Sequence, residues 1–189
     1  MAILAGGEGR RIGGGKPTVK LGSQTLLERA VERTAGWSDM VSVVLRSHDQ
    51  TSTNGLPHLV DRQDIEGPLG GLAVALAWAN AVGADFLLTI PCDMPFLPSD
   101  LGSRLLIEIG ETSAAIAASD GRIHPVCGLW RSDLAGPMED YASTERRSLK
   151  GFAEMVGFRQ VDWMADPFDP FFNINSPSDL HSARAILEA

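Results

Sequence analysis

Leu4-Ala5-Gly6-Gly7-Glu8-Gly9-Arg10-Arg11-Ile12-Gly13-Gly14-Gly15-Lys16-Pro17 follows the short apolar run Met1-Ala2-Ile3. A strand running straight into a glycine-rich, basic loop is the start of an α/β fold that binds ligands at its sheet edge. Glycines permit positive φ and let backbone N–H groups approach an anion closely. Three cations, Arg10, Arg11 and Lys16, fall within seven positions of a 189-residue chain whose net charge is −8. The dinucleotide pattern GxGxxG would begin at Gly7 and Gly9 but meets Ile12 at its last position. The P-loop pattern fails twice, because Pro17 follows Gly15-Lys16 and Arg10 occupies the first glycine position. The loop is therefore expected to bind phosphate in a different manner.

Outward from this loop, strand-like apolar runs alternate with helical patterns, which predicts a mostly parallel sheet. Strands are expected at Ala2–Ala5, Met40–Leu45, His58–Val60, Phe86–Ile90, Ala114–Ala118, Val126–Trp130 and Gln160–Trp163. Gly6 to Gly22 reads as loop. Helices are expected at Leu26–Ala35 behind a Thr25/Glu28 capping box, from Pro68 to about Val82, and from a Ser99 or Asp100 cap to near Gly110. Others fall within Arg131–Ala142, at Leu149–Val156, and from Ser176-Pro177-Ser178-Asp179 onward. No linker divides the chain, so one domain covers residues 1–189.

The second chemical signal is Phe86-Leu87-Leu88-Thr89-Ile90-Pro91-Cys92-Asp93-Met94-Pro95. Its continuous apolar stretch suits a central strand buried on both faces, and it ends in a carboxylate between two prolines. Asp93 there suits Mg²⁺, which takes one or two carboxylates plus substrate phosphates. Such an ion serves nucleotidyl transfer by offsetting charge on a triphosphate. A turn or capping role for Asp93 explains the residue equally well at this stage.

Composition narrows the function further. The hydrophobic share of 44% and charged share of 21% are those of an ordinary globular domain. A net charge of −8 argues against nucleic acid or anionic membrane as partner. Cys92 and Cys127 form no CxxC pair, so neither a disulfide framework nor a zinc site is expected, and Cys92 reads as a small buried hydrophobe. The N-terminal apolar run is too short for a signal peptide, and Leu69–Ala79 is too short and weak to span a bilayer. A cytoplasmic, soluble protein is expected.

The order of these signals resembles the nucleotidyltransferases of the sugar-nucleotide type. LAGGxGxRxGxxK from Leu4, GPLGGL at Gly67 to Leu72 and PCDMPF at Pro91 to Phe96 resemble the molybdenum cofactor guanylyltransferase branch in particular. His124-Pro125-Val126-Cys127-Gly128-Leu129-Trp130, Glu145-Arg146-Arg147-Ser148 and Phe172-Asn173-Ile174-Asn175-Ser176-Pro177 look like later blocks of the same family. The resemblance covers nearly the whole chain.

It implies a Rossmann-like three-layer αβα fold and GMP transfer from GTP to the terminal phosphate of Mo-molybdopterin, with release of pyrophosphate. It further implies that Leu4, Ala5, Gly6 and Gly7 line the guanosine pocket, that Asp61 contacts the nucleotide, and that Lys16, with Arg11, serves the triphosphate. Asp93 would hold Mg²⁺ beside the α-phosphate, while His124, Arg146, Arg147, Asn173 and Asn175 would serve the pterin acceptor. Each acceptor residue also has a plain reading: Arg146 and Arg147 as surface charges, His124 as a loop histidine, the asparagines as turn or cap residues. Asp64 and Glu66 are either solvated or near the metal. A monomer is expected, with transient contacts to other assembly proteins of the cofactor implied by the family.

Two departures from the family pattern stand out. Leu45 occupies the position aligned with a nucleotide-contacting Asn, and the first strand is short, which would truncate the outer edge of the sheet. The competing functions are a cytidylyltransferase for the same pterin, a sugar-phosphate nucleotidyltransferase, and a non-catalytic nucleotide-sensing domain. LAGG with Glu8 leans toward GTP, because the cytidylyl branch usually reads LAAG with Ser in the loop. Lys16 and Asp93 together argue against a non-catalytic domain.

Overall fold

A computed structural model describes all residues except Glu8, Arg10, Arg11, Gly13, Asn54, Glu66, Glu145, Arg146, Arg147 and Ala189. The sequence assignments to Arg11, Arg146 and Arg147 therefore lie outside the described residues.

The strands are β1 (Ala2–Leu4), β2 (Lys20–Leu21), β3 (Gln24–Thr25), β4 (Ser42–Leu45), β5 (His58–Val60), β6 (Phe86–Pro91), β7 (Ala114–Ser119), β8 (Arg122–Arg131) and β9 (Phe158–Trp163). The helices are α1 (Leu26–Thr34), α2 (Pro68–Ala81), α3 (Leu101–Glu108), α4 (Ala135–Ala142), α5 (Leu149–Val156) and α6 (Pro177–Glu188). Seven strands form one sheet in the order β5-β4-β1-β6-β8-β7-β9. All its pairings are parallel except those of β8, which runs antiparallel to both β6 and β7.

The pleat sends alternate side chains to opposite faces. Ile3, Val43, Leu45, Leu88 and Ile90 pack with Leu27 and Ala30 of α1 and Leu101 and Leu105 of α3. Ala2, Val44, Leu87, Ile116 and Trp130 meet α2, α4 and α5 through Leu69, Leu72, Leu76, Met138 and Phe152 on the other face. The result is the three-layer αβα arrangement.

Local signals account for most boundaries. Thr25 and Glu28 form the reciprocal capping box that starts α1, and Pro68 opens α2. Asp100 does not cap α3 through its side chain; its Oδ1 accepts instead from Trp163 Nε1 at 2.9 Å. Within the expected loop, β2 and β3 form a small hairpin turned at Gly22, where φ is +66°. Its Leu21 joins Leu26, Ile174 and Ala183 in a separate small core beneath α6.

Both departures noted in the sequence resolve structurally. β1 is short, yet it lies inside the sheet with β4 and β6 on either side, so no outer edge is truncated. Leu45 is 1% exposed and belongs to the core. The next residue, Arg46, is the one that reaches the ligand crevice.

Candidate active site

From β1 the chain passes outward to β4 and β5 and then crosses back through α2 to β6 on the other side of β1, and a crevice opens beyond the carboxyl ends of these strands. Open α/β sheets place ligands at such a point. The cavity has a volume of about 640 Å³. Its lining includes Leu4, Gly6 and Gly7 from the first loop, Arg46 and Asp61 after β4 and β5, and Asp93 and Asn173 on the far side. Gly67 and Pro68 bring the N-terminal end of the fourteen-residue helix α2 to the same space. Its free N–H groups and positive dipole end favour an anion there.

The first loop folds back on itself. Ile12 N and Gly14 N both donate to Gly9 O at 2.9 Å. Gly9 has φ of +60°, and a Cβ on it would stand 2.8 Å from Lys16 Cβ, so only glycine lets the loop close over Lys16. Lys16 then begins a single 3₁₀ turn, Lys16–Thr18, and is 9% exposed.

Two partners hold its ammonium. Lys16 Nζ is ion-paired with Asp93 Oδ2 and donates to Asn175 Oδ1 at 2.7 Å. Asn175 is itself placed by α6: Asp179 Oδ2 accepts from the Asn175 and Ser176 amides at 2.9 and 2.8 Å. Those bonds hold the Asp179 carboxyl below its ordinary range. Burial pushes Asp93 up, against the pull of Lys16.

The remaining oxygen, Asp93 Oδ1, is buried with no hydrogen-bond partner, and so is Oδ1 of Asn173, another residue of the cavity lining. Buried oxygens in that condition await a ligand or water. Among the described residues no group of three or more His, Cys, Asp or Glu side chains converges to form a metal cage. A single unpartnered carboxylate oxygen in the cavity lining fits Mg²⁺, which binds through few protein ligands and completes its shell from substrate phosphates.

Asp61 sits between Gly6 and Gly70, and its Oδ1 is likewise buried without a partner. Burial pushes its carboxyl up to about 6, while the Arg62 amide and the Arg46 charge pull it back. Gln50, which the sequence reading did not single out, ties the walls together. Its Nε2 donates to Ala5 O at 2.8 Å and its Oε1 accepts from Arg46 N at 2.5 Å. Ala5 itself is buried, so of the expected guanosine residues Leu4, Gly6 and Gly7 line the cavity while Ala5 anchors it.

The pterin-side residues divide. Asn173 lines the cavity, whereas Asn175 is engaged with Lys16. His124 lies on β8, whose register, Thr89 opposite Gly128, carries it toward the same sheet edge as Asp93. Asp64 is drawn outward by Arg62, which also pairs with Glu139. Cys92 is buried, and burial raises its thiol well above the ordinary range.

The crevice supports nucleotide transfer as its class of chemistry, with a carboxylate and a lysine held together in its lining. The chain belongs to the MobA-like NTP transferase domain family, whose model matches residues 1–159. It is 37% identical to a molybdenum cofactor guanylyltransferase of Cereibacter sphaeroides over 98% of this chain and 95% of that one. It is 35% identical to the protein of the same name from Sinorhizobium fredii, over 96% and 88% of the two chains. The crystal structure of molybdopterin-guanine dinucleotide biosynthesis protein A from Archaeoglobus fulgidus superposes with a TM-score of 0.78 at 25% identity, covering 99% of this chain and 97% of that one. A 2-C-methyl-D-erythritol 4-phosphate cytidylyltransferase from Thermus thermophilus shares the fold, with a TM-score of 0.75 at 18% identity over 100% and 98% of the chains. Among the described residues no helix is long and apolar enough to cross a membrane.

Proposed function

We propose that this chain transfers GMP from GTP to the terminal phosphate of Mo-molybdopterin, releasing pyrophosphate. The observation that carries the reading is the largely buried Lys16–Asp93 pair just after β6, with Oδ1 of the cavity-lining Asp93 left unpartnered.

The nucleotide lies with its guanosine against Leu4, Gly6 and Gly7, where backbone groups read the base. Asp61 accepts from a hydroxyl of the ribose. The triphosphate runs toward Lys16 and the N-terminus of α2, with Arg11 on the first loop. A phosphate oxygen of the acceptor bonds to the α-phosphorus as the bond from that phosphorus to the bridging oxygen breaks, and pyrophosphate departs with the electron pair. The attacking oxygen is already anionic at neutral pH, so no strong general base is required.

Lys16 stabilises the charge that develops on the phosphoryl oxygens, held in place by Asp93 and Asn175. Mg²⁺, when bound at Asp93 Oδ1, neutralises triphosphate charge. Asn173 and His124, with Arg146 and Arg147, hold the pterin and its phosphate in line, so much of the rate comes from positioning.

The test is pyrophosphate release with Mg²⁺ and GTP, with and without molybdopterin, and CTP in parallel. Release that requires both GTP and the pterin establishes donor, acceptor and reaction together. Release with CTP in place of GTP overturns the named donor and product. No release from a folded, GTP-binding sample overturns the transferase reading in favour of nucleotide sensing or a different acceptor.

A further inference from the structure

β7 ends at Ser119, which is 1% exposed and stands between two partners. Its Oγ lies 2.7 Å from Asp169 Oδ1 and 2.8 Å from His124 Nε2. A serine hydroxyl has one proton and two lone pairs, whereas a carboxylate only accepts. The proton of Ser119 therefore goes to Asp169. If it went to His124 instead, lone pairs of Ser119 and Asp169 would face each other at 2.7 Å. Toward His124 the hydroxyl thus presents a lone pair, and Nε2 must carry hydrogen.

Three further features keep this arrangement single. Asp169 Oδ1 also accepts from Phe171 N at 2.9 Å, which fixes the carboxylate. The His124 ring stacks on Phe171 with centroids 4.7 Å apart and planes 13° from parallel, which fixes the ring. Burial, with Arg122 adding to it and Asp169 opposing, favours the neutral imidazole. In a neutral ring protonated at Nε2, Nδ1 is a hydrogen-bond acceptor. Among the described residues Nδ1 has no protein partner, and it is not among the buried unpartnered atoms, so it retains access to solvent.

We propose that Asp169 and Ser119 are positioning residues that lock His124 in its Nε2–H form, so that Nδ1 accepts a hydrogen bond from an N–H group of the acceptor's heterocycle. The inference rests on the acceptor reading above and adds a direction to it. His124 receives a donor, as the amino and ring N–H groups of a pterin are, and not the phosphate, which offers only acceptors at neutral pH. The Asp–Ser–His order also separates this chain of bonds from a nucleophile arrangement, because the serine proton is directed away from the imidazole.

Long-range ¹H–¹⁵N correlation of the His124 ring tests the lock without any turnover. The expected wild-type result is hydrogen on Nε2 alone. Hydrogen on Nδ1, or an even mixture, overturns the lock whatever the enzyme's activity. Ser119→Ala should release the preference, and Ser119→Thr, which keeps the hydroxyl, should restore it; an unchanged ring in folded Ser119→Ala overturns the role of Ser119. In steady-state assays Ser119→Ala should raise the KM for molybdopterin by roughly fivefold to tenfold, the effect of one lost hydrogen bond, and leave the KM for GTP within about twofold. An altered ring with an unchanged molybdopterin KM overturns the contact to the acceptor. A wild-type enzyme that shows the Nε2–H ring yet never uses molybdopterin overturns the acceptor reading and leaves the lock standing.

Discussion

The carboxylate of Asp61 rests against the bare Cα of Gly70: a Cβ there would stand 2.5 Å from Asp61 Oδ1 and 2.9 Å from Arg62 O. Gly70 lies in the first turns of α2, so the helix and the segment after β5 approach each other with no room for a methyl group. The backbone oxygen cannot swing aside as a side chain would. Gly70→Ala should destabilise the protein by about 1–3 kcal/mol through overpacking. It should also weaken GTP binding, because Asp61 must move. Thermal melting and calorimetric titration read the two effects; an unchanged melting temperature would contradict the close approach.

Asp61 itself should set a dependence of stability on pH. Its folded-state value of about 6 lies above the ordinary carboxylate range. The folded protein therefore holds this proton more tightly than the unfolded chain. Stability from this group is full below about pH 4 and declines as pH rises through about 6. Asp61→Asn should remove that decline and make the ligand-free protein more resistant to urea at pH 7 than the wild type. The same variant should lose GTP affinity. Parallel pH profiles for both proteins would refute the assignment.

Replacing Asp93 tests the proposed metal and triphosphate contact. Asp93→Ala removes the unpartnered Oδ1 and leaves the Lys16 ammonium with Asn175 as its one remaining partner among the described residues. Turnover should fall by roughly 100- to 1,000-fold or more. The fold should persist, as circular dichroism would show. Turnover that stays Mg²⁺-dependent at the wild-type rate would exclude Asp93 from the reaction.

Asn175 separates positioning of Lys16 from pterin binding. Loss of the 2.7 Å bond in Asn175→Ala should free the ammonium and lower kcat by roughly tenfold to a hundredfold, as for hydrogen bonds to charged groups. Asn173→Ala should act mainly on the KM for the pterin. Equal effects of the two variants on that KM alone would place Asn175 with the acceptor.

The elements were legible because burial imposes periodicity. Phe86–Ile90 reads as a central strand because its continuous apolar run suits burial on both faces, and β6 adds only Pro91 to it, while Thr25/Glu28 marks the start of α1 by its own chemistry. The sheet order was not legible: nothing local places β8 antiparallel between β6 and β7. One signal was present and unused. Asp120-Gly121 is a two-residue hairpin turn with φ of +47° and +71°, and it extends β8 back to Arg122. That turn is what brings Ser119 near His124.

Of the site, Lys16 and Asp93 were readable from loop composition and strand position, and the structure joins them. Gln50 and Asp169 were not, because they act through contacts across 45 and 50 positions of sequence that no spacing rule encodes. Leu45 shows the reverse case. One residue of register decides whether a side chain enters the core or the crevice, and the structure assigns the crevice to Arg46.

Lys16 and Asn175 meet across 159 positions of sequence. During synthesis the glycine-rich loop, β1 and β6 emerge well before the segment that steadies the lysine. A chain synthesised only as far as β9 holds the sequence of every strand but lacks the Asn175 amide that receives the Lys16 ammonium. The lysine of the first loop is thus steadied only when the segment around Asn175 folds against it, so the two sides of the crevice mature together and not in chain order.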